Sequence, residues 1–364
     1  MKQGRSLQEL AAELERQVAT RKDFIAPQGE VETKVVDGEI VLDGLPDEMP
    51  LTNLAHAQFG DELGIPRKYY DRMKTDQPEL LSRNINTWLH DNGAAKRMFR
   101  TLDGKVRAFL SPKYRPLDNF DLAQVVLPAL IQANADVKSA ELTETQMYIK
   151  AILPDLSDEL PEGLAWGVGN HIFEDRQKLR VVSAITIANS EVGMGTLRIE
   201  PGVFAALCTN LATLKEAAMK KYHVGRSFEA DSNFEVFRDE TRQADDKAFF
   251  LKVRDVTLAA FDKDRFAEAV AMIRRAGDHK IESSDLPKVV EVAVNRLALP
   301  QSTQNNVLSW LAKGGQLNQW GLSSAITRAA QDADSYEVAT ELERAGGEAL
   351  ALPEADFDKI GRAA

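Results

Sequence analysis

The stretch from Ile185 to Asn210 constrains the fold more than any other part of this chain. An apolar, β-branched run ends at Asn189-Ser190, and Gly193 and Gly195 follow one residue apart. A second short run, Leu197-Arg198-Ile199, leads to Pro201-Gly202 and an apolar pattern from Val203 onward. β-Branched residues suit a pleated, buried surface, whereas Asn, Ser and Gly suit tight turns. The pattern predicts a buried strand, a polar loop, a second strand and a long helix from Val203 to about Tyr222. Such a loop can bring bare backbone N–H groups close to a ligand, because glycine imposes no side chain.

The flanking sequence extends this mixed character. Leu7, Leu10, Ala11, Leu14 and Val18 recur at helical spacing, with Ser6 and Glu9 placed as a capping box. Asp37-Gly38 and Asp103-Gly104 each stand between apolar runs, the signature of tight hairpins. Residues 54–89 are largely helical, with Pro66 suited to a first turn. Leu122 to Ala133 reads as a helix capped by Asp118 or Asn119 and kinked by Pro128. Residues 137–153 read as a strand or hairpin, and 163–173 and 179–189 as a further strand pair. Beyond about Arg238, residues 244–277, 285–297, 303–312 and 322–343 are helical, with Trp310 and Trp320 packed among them. The expected fold is therefore α+β: an antiparallel-sheet core with packed helices, followed by a helical C-terminal region. The expected divisions are an N-terminal arm at 1–54, a core at 55–235 and the helical region at 236–364. The arm's helix packs on the body or on another copy, which would make a homo-oligomer.

With 364 residues, 44% of them hydrophobic, the chain has ample material for cores. No run approaches the roughly 18–20 apolar residues that span a bilayer, so no membrane role is expected. The opening residues lack an apolar signal core and read as a cytosolic N-terminus. The single cysteine, Cys208, lies on an apolar helical pattern and reads as a small buried hydrophobe. A net charge of −11 argues against coating duplex DNA with the whole surface. The charge is uneven, however. Residues 96–115 hold Lys96, Arg97, Arg100, Lys105, Arg107, Lys113 and Arg115 against Asp103 alone. Residues 215–226 hold Lys215, Lys220, Lys221, His223 and Arg226 against Glu216 alone. Two solvated faces, or two halves of one groove for a polyanion, both fit this distribution.

No P-loop, zinc spacing or nucleophile elbow is present, and His56, His90, His171, His223 and His279 are scattered without ligand spacing. No metal, no cofactor and no catalytic residue is therefore assigned. Gly193-Met-Gly195 lacks the third glycine of a dinucleotide fingerprint. Asn189, Ser190 and Glu191 leave a strand end together, with Arg198 on the next strand. They can bind a ligand or close the loop on themselves. In the first reading Glu191 is the one candidate acid or base. Arg107, Lys113, Tyr114 and Arg115 interleave cations with an aromatic ring, as single-stranded nucleic acid requires. The same residues can instead bound a hairpin with Tyr114 packed inward.

At these positions the chain resembles the phage/plasmid-like proteins grouped under domain of unknown function 932. The matching pieces are Phe99-Arg-Thr-Leu, Val106-Arg-Ala-Phe-Leu-Ser and Tyr114-Arg-Pro-Leu-Asp-Asn. Asn189-Ser-Glu-Val-Gly, Leu197-Arg-Ile, Cys208-Thr-Asn-Leu, His223-Val-Gly-Arg, Trp320-Gly-Leu-Ser-Ser-Ala and Gly346-Gly follow in order. The resemblance covers roughly residues 50–350 and implies a mobile-element protein acting inside a bacterial cell. It supplies no reaction and no catalytic residues. Leu211 stands where some relatives have a glycine, so the helix is expected to run on here. Together these features lead to a protein that binds single-stranded DNA, promoting annealing or recombination. Arg100, Lys105, Arg107, Lys113, Tyr114, Arg115, Lys220, Lys221 and Arg226 would make the contacts. The alternatives are an enzyme or small-ligand binder built on Asn189, Ser190, Glu191, Gly193, Gly195 and Arg198, and a factor that binds a host defence protein through its acidic ends.

Overall fold

The computed structural model describes residues 1–91, 93–114, 116–164, 179–205, 209–214 and 239–363. Helix α1 (Leu7–Thr20) starts at the expected capping box: Ser6 accepts from the Glu9 backbone while Glu9 reaches back to Ser6. Leu10 and Leu14 are buried, so α1 packs on this chain's own body. Strand β1 (Lys22–Pro27) is followed by the small sheet β2 (Glu32–Val36), β3 (Glu39–Asp43) and β4 (Met49–Pro50). Three helices follow: α2 (Asn53–Glu62), α3 (Arg67–Asp76) and α4 (Pro78–Asp91). The hairpin β5 (Lys96–Leu102) and β6 (Lys105–Leu110) comes next, and β1 pairs antiparallel with β5. Asp37 and Gly38 have φ of 52° and 84°, and Asp103 and Gly104 have φ of 51° and 71°. Two successive positive φ values match the right-handed twist of paired strands, which is why Asp-Gly closes both hairpins. Phe59 of α2 stacks on Phe109 of β6 with ring centroids 4.1 Å apart, and Phe99 of β5 completes the cluster. This seam joins the helices to the hairpin.

Helix α5 (Asn119–Gln132) carries Pro128 internally and leads into the main sheet. Its strands are β7 (Asp136–Leu142), β8 (Met147–Leu160), β9 (Leu179–Asn189), β10 (Arg198–Ala205) and β11 (Asn210–Thr213). Their spatial order is β11-β10-β9-β8-β7, all antiparallel. Strand β9 is central and buried from Val181 through Asn189, which explains its near-continuous apolar run. Its partner is β8, so the strand expected at 163–173 is not that partner; 165–178 lie outside the described residues.

The helix expected from Val203 is corrected: residues 203–205 and 210–213 belong to strands. Pro201 pairs opposite Ile185 inside β10. Its carbonyl accepts from the Leu214 N–H at 2.8 Å, just past the end of β11, where a missing donor leaves no gap in the ladder. Gly202 is required by close approach, because a Cβ there would lie 2.7 Å from the Ala212 carbonyl oxygen. Cys208 lies outside the described residues.

Seven helices then follow: α6 (Asp239–Ala259), α7 (Lys263–Asp278), α8 (Leu286–Arg296), α9 (Gln304–Gly314), α10 (Gln319–Ala329), α11 (Tyr336–Ala351) and α12 (Glu354–Gly361). Helices α8 to α12 enclose their own core around Val290, Leu311, Leu322 and Phe357. The expected α+β class and helical C-terminal region are thus observed. One face of the main sheet packs its Ile149, Ile185 and Ile187 against Leu122 and Val126 of α5. On the intervening positions Ser139, Lys150, Thr186 and Glu200 stand in cross-strand register. Lys150 lies 2.7 Å from Glu343 of α11, both side chains fully buried, as an ion pair without hydrogen-bond angles. Burial outweighs Glu343 and holds the Lys150 pKa below its usual value. No described helix is long and apolar enough to cross a membrane.

Candidate ligand-binding site

Three segments distant in sequence meet where β9 ends: the β5–β6 hairpin, the start of α5 and the loop after Asn189. Burial at that junction forces every polar group to find a partner. Asn189 donates from Nδ2 to the Leu117 carbonyl at 2.9 Å and to Asn119 Oδ1 at 2.8 Å. Ser190 Oγ accepts from the Met194 N–H at 3.0 Å and from the Val192 N–H at 3.4 Å. The loop therefore satisfies two of its own donors, and these are not bare groups awaiting a ligand. Gly193 is needed for its φ of +80° and because a Cβ would meet Leu110 at 2.7 Å. A Cβ on Gly195 would sit 3.3 Å from Gln146 Nε2. Arg198 turns away to α11, pairing with Glu341 at 3.2 Å. Of the six loop residues expected to hold a ligand, Glu191 lines a cavity of about 330 Å³.

Glu191 is also the hub that joins the two groups of candidates. Its Oε1 accepts from Arg107 Nη1 at 2.6 Å, and its Oε2 accepts from the Asn119 N–H at 2.9 Å. It thus supplies the acceptor at the first residue of α5, where a carboxylate is favoured by the helix dipole. Asp118, one of the two expected caps, makes no capping bond. Its carboxylate instead receives Arg100 Nη2 at 2.6 Å and Arg21 Nη1 at 2.9 Å.

Arg100 is 0% exposed. It donates to Asp23 at 2.9 Å, to Asp118 and to the Glu191 carbonyl. Burial opposes its charge, but the bonds to Asp23 and Asp118 outweigh that and raise its pKa above the usual value. Arg100 is a structural strut and is not placed to touch a phosphate. Tyr114 is half-buried and donates its hydroxyl to the Ser190 carbonyl at 3.2 Å, packed inward against the loop. Arg97 pairs with Glu62. Lys96, Lys105 and Lys113 are exposed and carry no ion pair among the described residues. Lys96 and Lys105 occupy opposite ends of the hairpin, roughly 20 Å apart at about 3.3 Å per residue. The described cations of 96–114 thus do not line up as one track. Arg115, Lys220, Lys221 and Arg226 lie outside the described residues.

Arg107 differs from Arg100 in one respect. It is 7% exposed, yet its Nε and Nη2 have no hydrogen-bond partner. It lines a cavity of about 330 Å³ together with Glu191, Asn119, Lys105, Thr143 and Gln146. Asp103 of this wall is already answered: it accepts from Arg16 at 2.7 Å and from Thr20 at 2.6 Å, which hold its carboxyl below the usual range. Glu144 is exposed, accepts from the Leu54 N–H at 3.3 Å and carries no ion pair among the described residues. The wall thus holds unmet donors, on Arg107 and the Lys105 ammonium, beside one unpaired carboxylate.

A second cavity, of about 590 Å³, shares Thr52, Lys105 and Glu144 with the first and extends to His56 and Lys74. His56 was read from the sequence only as one of five scattered histidines. It was recognisable as a polar residue beside Leu54, Ala55 and Phe59 on a buried helix face. Asn119 was legible only as a candidate helix cap and Glu144 carried no signal, because their places at the site depend on contacts far along the chain. No group of His, Cys, Asp and Glu that could hold a metal is found among the described residues. No family model, curated protein or solved structure matches the chain, so the resemblance rests on the motifs quoted above.

Proposed function

We propose that this protein binds a small anionic ligand in the cavity walled by Arg107, Lys105 and Glu191. The reading carries over the small-ligand alternative but moves its centre from the glycine loop to the Arg107–Glu191 pair. One observation carries it: a buried guanidinium with two nitrogens unanswered, on a residue that lines a cavity. A buried donor left without an acceptor costs about 1–3 kcal/mol, more when charged. Nε and Nη2 form one side of the guanidinium fork, whose parallel N–H groups match two oxygens of a phosphate or carboxylate. Glu191 holds the opposite side and fixes the plane of the fork. Lys105 adds a second, mobile cation at the mouth.

Calorimetric titration with inorganic phosphate and with citrate tests the reading. Arg107→Gln should weaken binding at least tenfold, and Lys105→Ala, which removes no packed group, severalfold. Absence of binding by either anion, or equal binding by the wild type and Arg107→Gln, overturns it.

Single-stranded DNA is the second reading, and the mobile-element resemblance motivates it. The observation in its favour is Lys105, exposed and unpaired at the junction of both cavities, where a phosphodiester could lie. Anisotropy titration at two salt concentrations decides it, because phosphate contacts release counterions and make affinity fall steeply with salt. No binding at low salt ends this reading.

A further inference from the structure

We infer that the ligand is an organic phosphate of nucleotide size, with its phosphate at Arg107 and its uncharged heterocycle at His56. This rests on the anion site proposed above. The two cavities share Thr52, Lys105 and Glu144 in their walls and so adjoin, and a ligand anchored at Arg107 would pass between these three side chains to reach the larger space. A lone inorganic ion would leave that space empty.

At the far end Ile40, Pro50 and Leu51 offer apolar contact to a flat ring, beside the polar side chains of Glu39, Asn53, Lys74 and Thr75. His56 is 5% exposed and its Nδ1 stands 2.8 Å from the Tyr70 hydroxyl. Tyr70 is itself fully buried, so this contact fixes the ring and leaves Nε2 as the atom free to meet a ligand. Burial, reinforced by Lys74 and Arg67, lowers the His56 pKa to about 4. The imidazole is therefore neutral at pH 7 and offers one directional hydrogen bond with no charge. That suits a heterocycle edge better than a second phosphate.

The test compares inorganic phosphate with the four nucleoside 5′-monophosphates by calorimetry, using the full chain. At least one nucleotide should bind tenfold or more tightly than phosphate. His56→Gln, whose amide can still meet Tyr70, should erase that gain and leave phosphate affinity unchanged. Independently of any variant, the His56 ring resonances should shift on adding the nucleotide and stay fixed on adding phosphate. If phosphate binds through Arg107 but no nucleotide binds more tightly and His56 does not respond, this inference is overturned and the anion site stands. If neither phosphate nor nucleotide binds, both fail.

Discussion

Replacing Glu191 by alanine should be among the most damaging single changes available near the site. The carboxylate accepts from Arg107 and from the first N–H of α5, and it is 5% exposed. Removing it leaves a buried guanidinium with no acceptor, a loss of about 3–5 kcal/mol. It also strips a helix terminus of its acceptor, worth about 1 kcal/mol. The two losses share one side chain, so about 4 kcal/mol is the reasonable total. Unfolding entropy near 2.1 cal/mol/K per residue, taken over 364 residues, converts this into a Tm lowered by about 5 °C. Scanning calorimetry measures it, and a lowered urea midpoint at unchanged slope would show that stability alone has moved. The double variant Arg107→Met with Glu191→Leu should recover most of the loss, because a buried pair exchanged for apolar groups is often neutral. A Tm within 1 °C of wild type for Glu191→Ala, or a double variant no better than the single, would refute the assignment of Glu191 as the hub.

Two further predictions concern groups around the site and the sheet. His56 has a folded pKa of about 4 against an ordinary value near 6.5, so the unfolded chain holds the extra proton between them. Stability should therefore fall as pH drops from about 6.5 toward 4, and histidine NMR should find His56 still neutral at pH 5.5. A His56 midpoint above 6 would contradict this. Gly347→Ala should destabilise by about 1–3 kcal/mol through overpacking, since its Cβ would fall 1.9 Å from the Thr213 carbonyl oxygen. An unchanged urea midpoint would show that α11 and β11 can separate freely.

Local chemistry was legible in the sequence wherever a short segment decides its own conformation. The Ser6–Glu9 capping box and the two Asp-Gly turns depend on residues within four positions of one another, and all three formed as expected. The region from Val203 misled because a strand buried on both faces shows no alternation. Its apolar run fits a helix equally well until β9 and β11 claim it on either side. The site was legible only in pieces. Arg107 and Glu191 were both singled out, but for rival functions on separate surfaces. They are 84 residues apart in sequence, and no local pattern announces that one is the other's partner. A clue existed in the position of Glu191, a carboxylate following directly on a strand whose neighbours are all buried. Such a group must be met by a cation, and the segment 96–115 held the nearest surplus. Arg100 and Arg107 were read as a solvated cationic surface because sequence alone does not reveal that Asp23, Asp118 and Glu191 converge on them.

The decisive measurement is a crystal of the full chain soaked in selenate, with anomalous data collected at the selenium edge. A peak within hydrogen-bond distance of Arg107 Nε and Nη2, with Lys105 turned toward it, is the predicted result. Water or an unsatisfied guanidinium at that position, in crystals whose other surface sites have taken up selenate, would contradict the claim that this unanswered edge binds an anion.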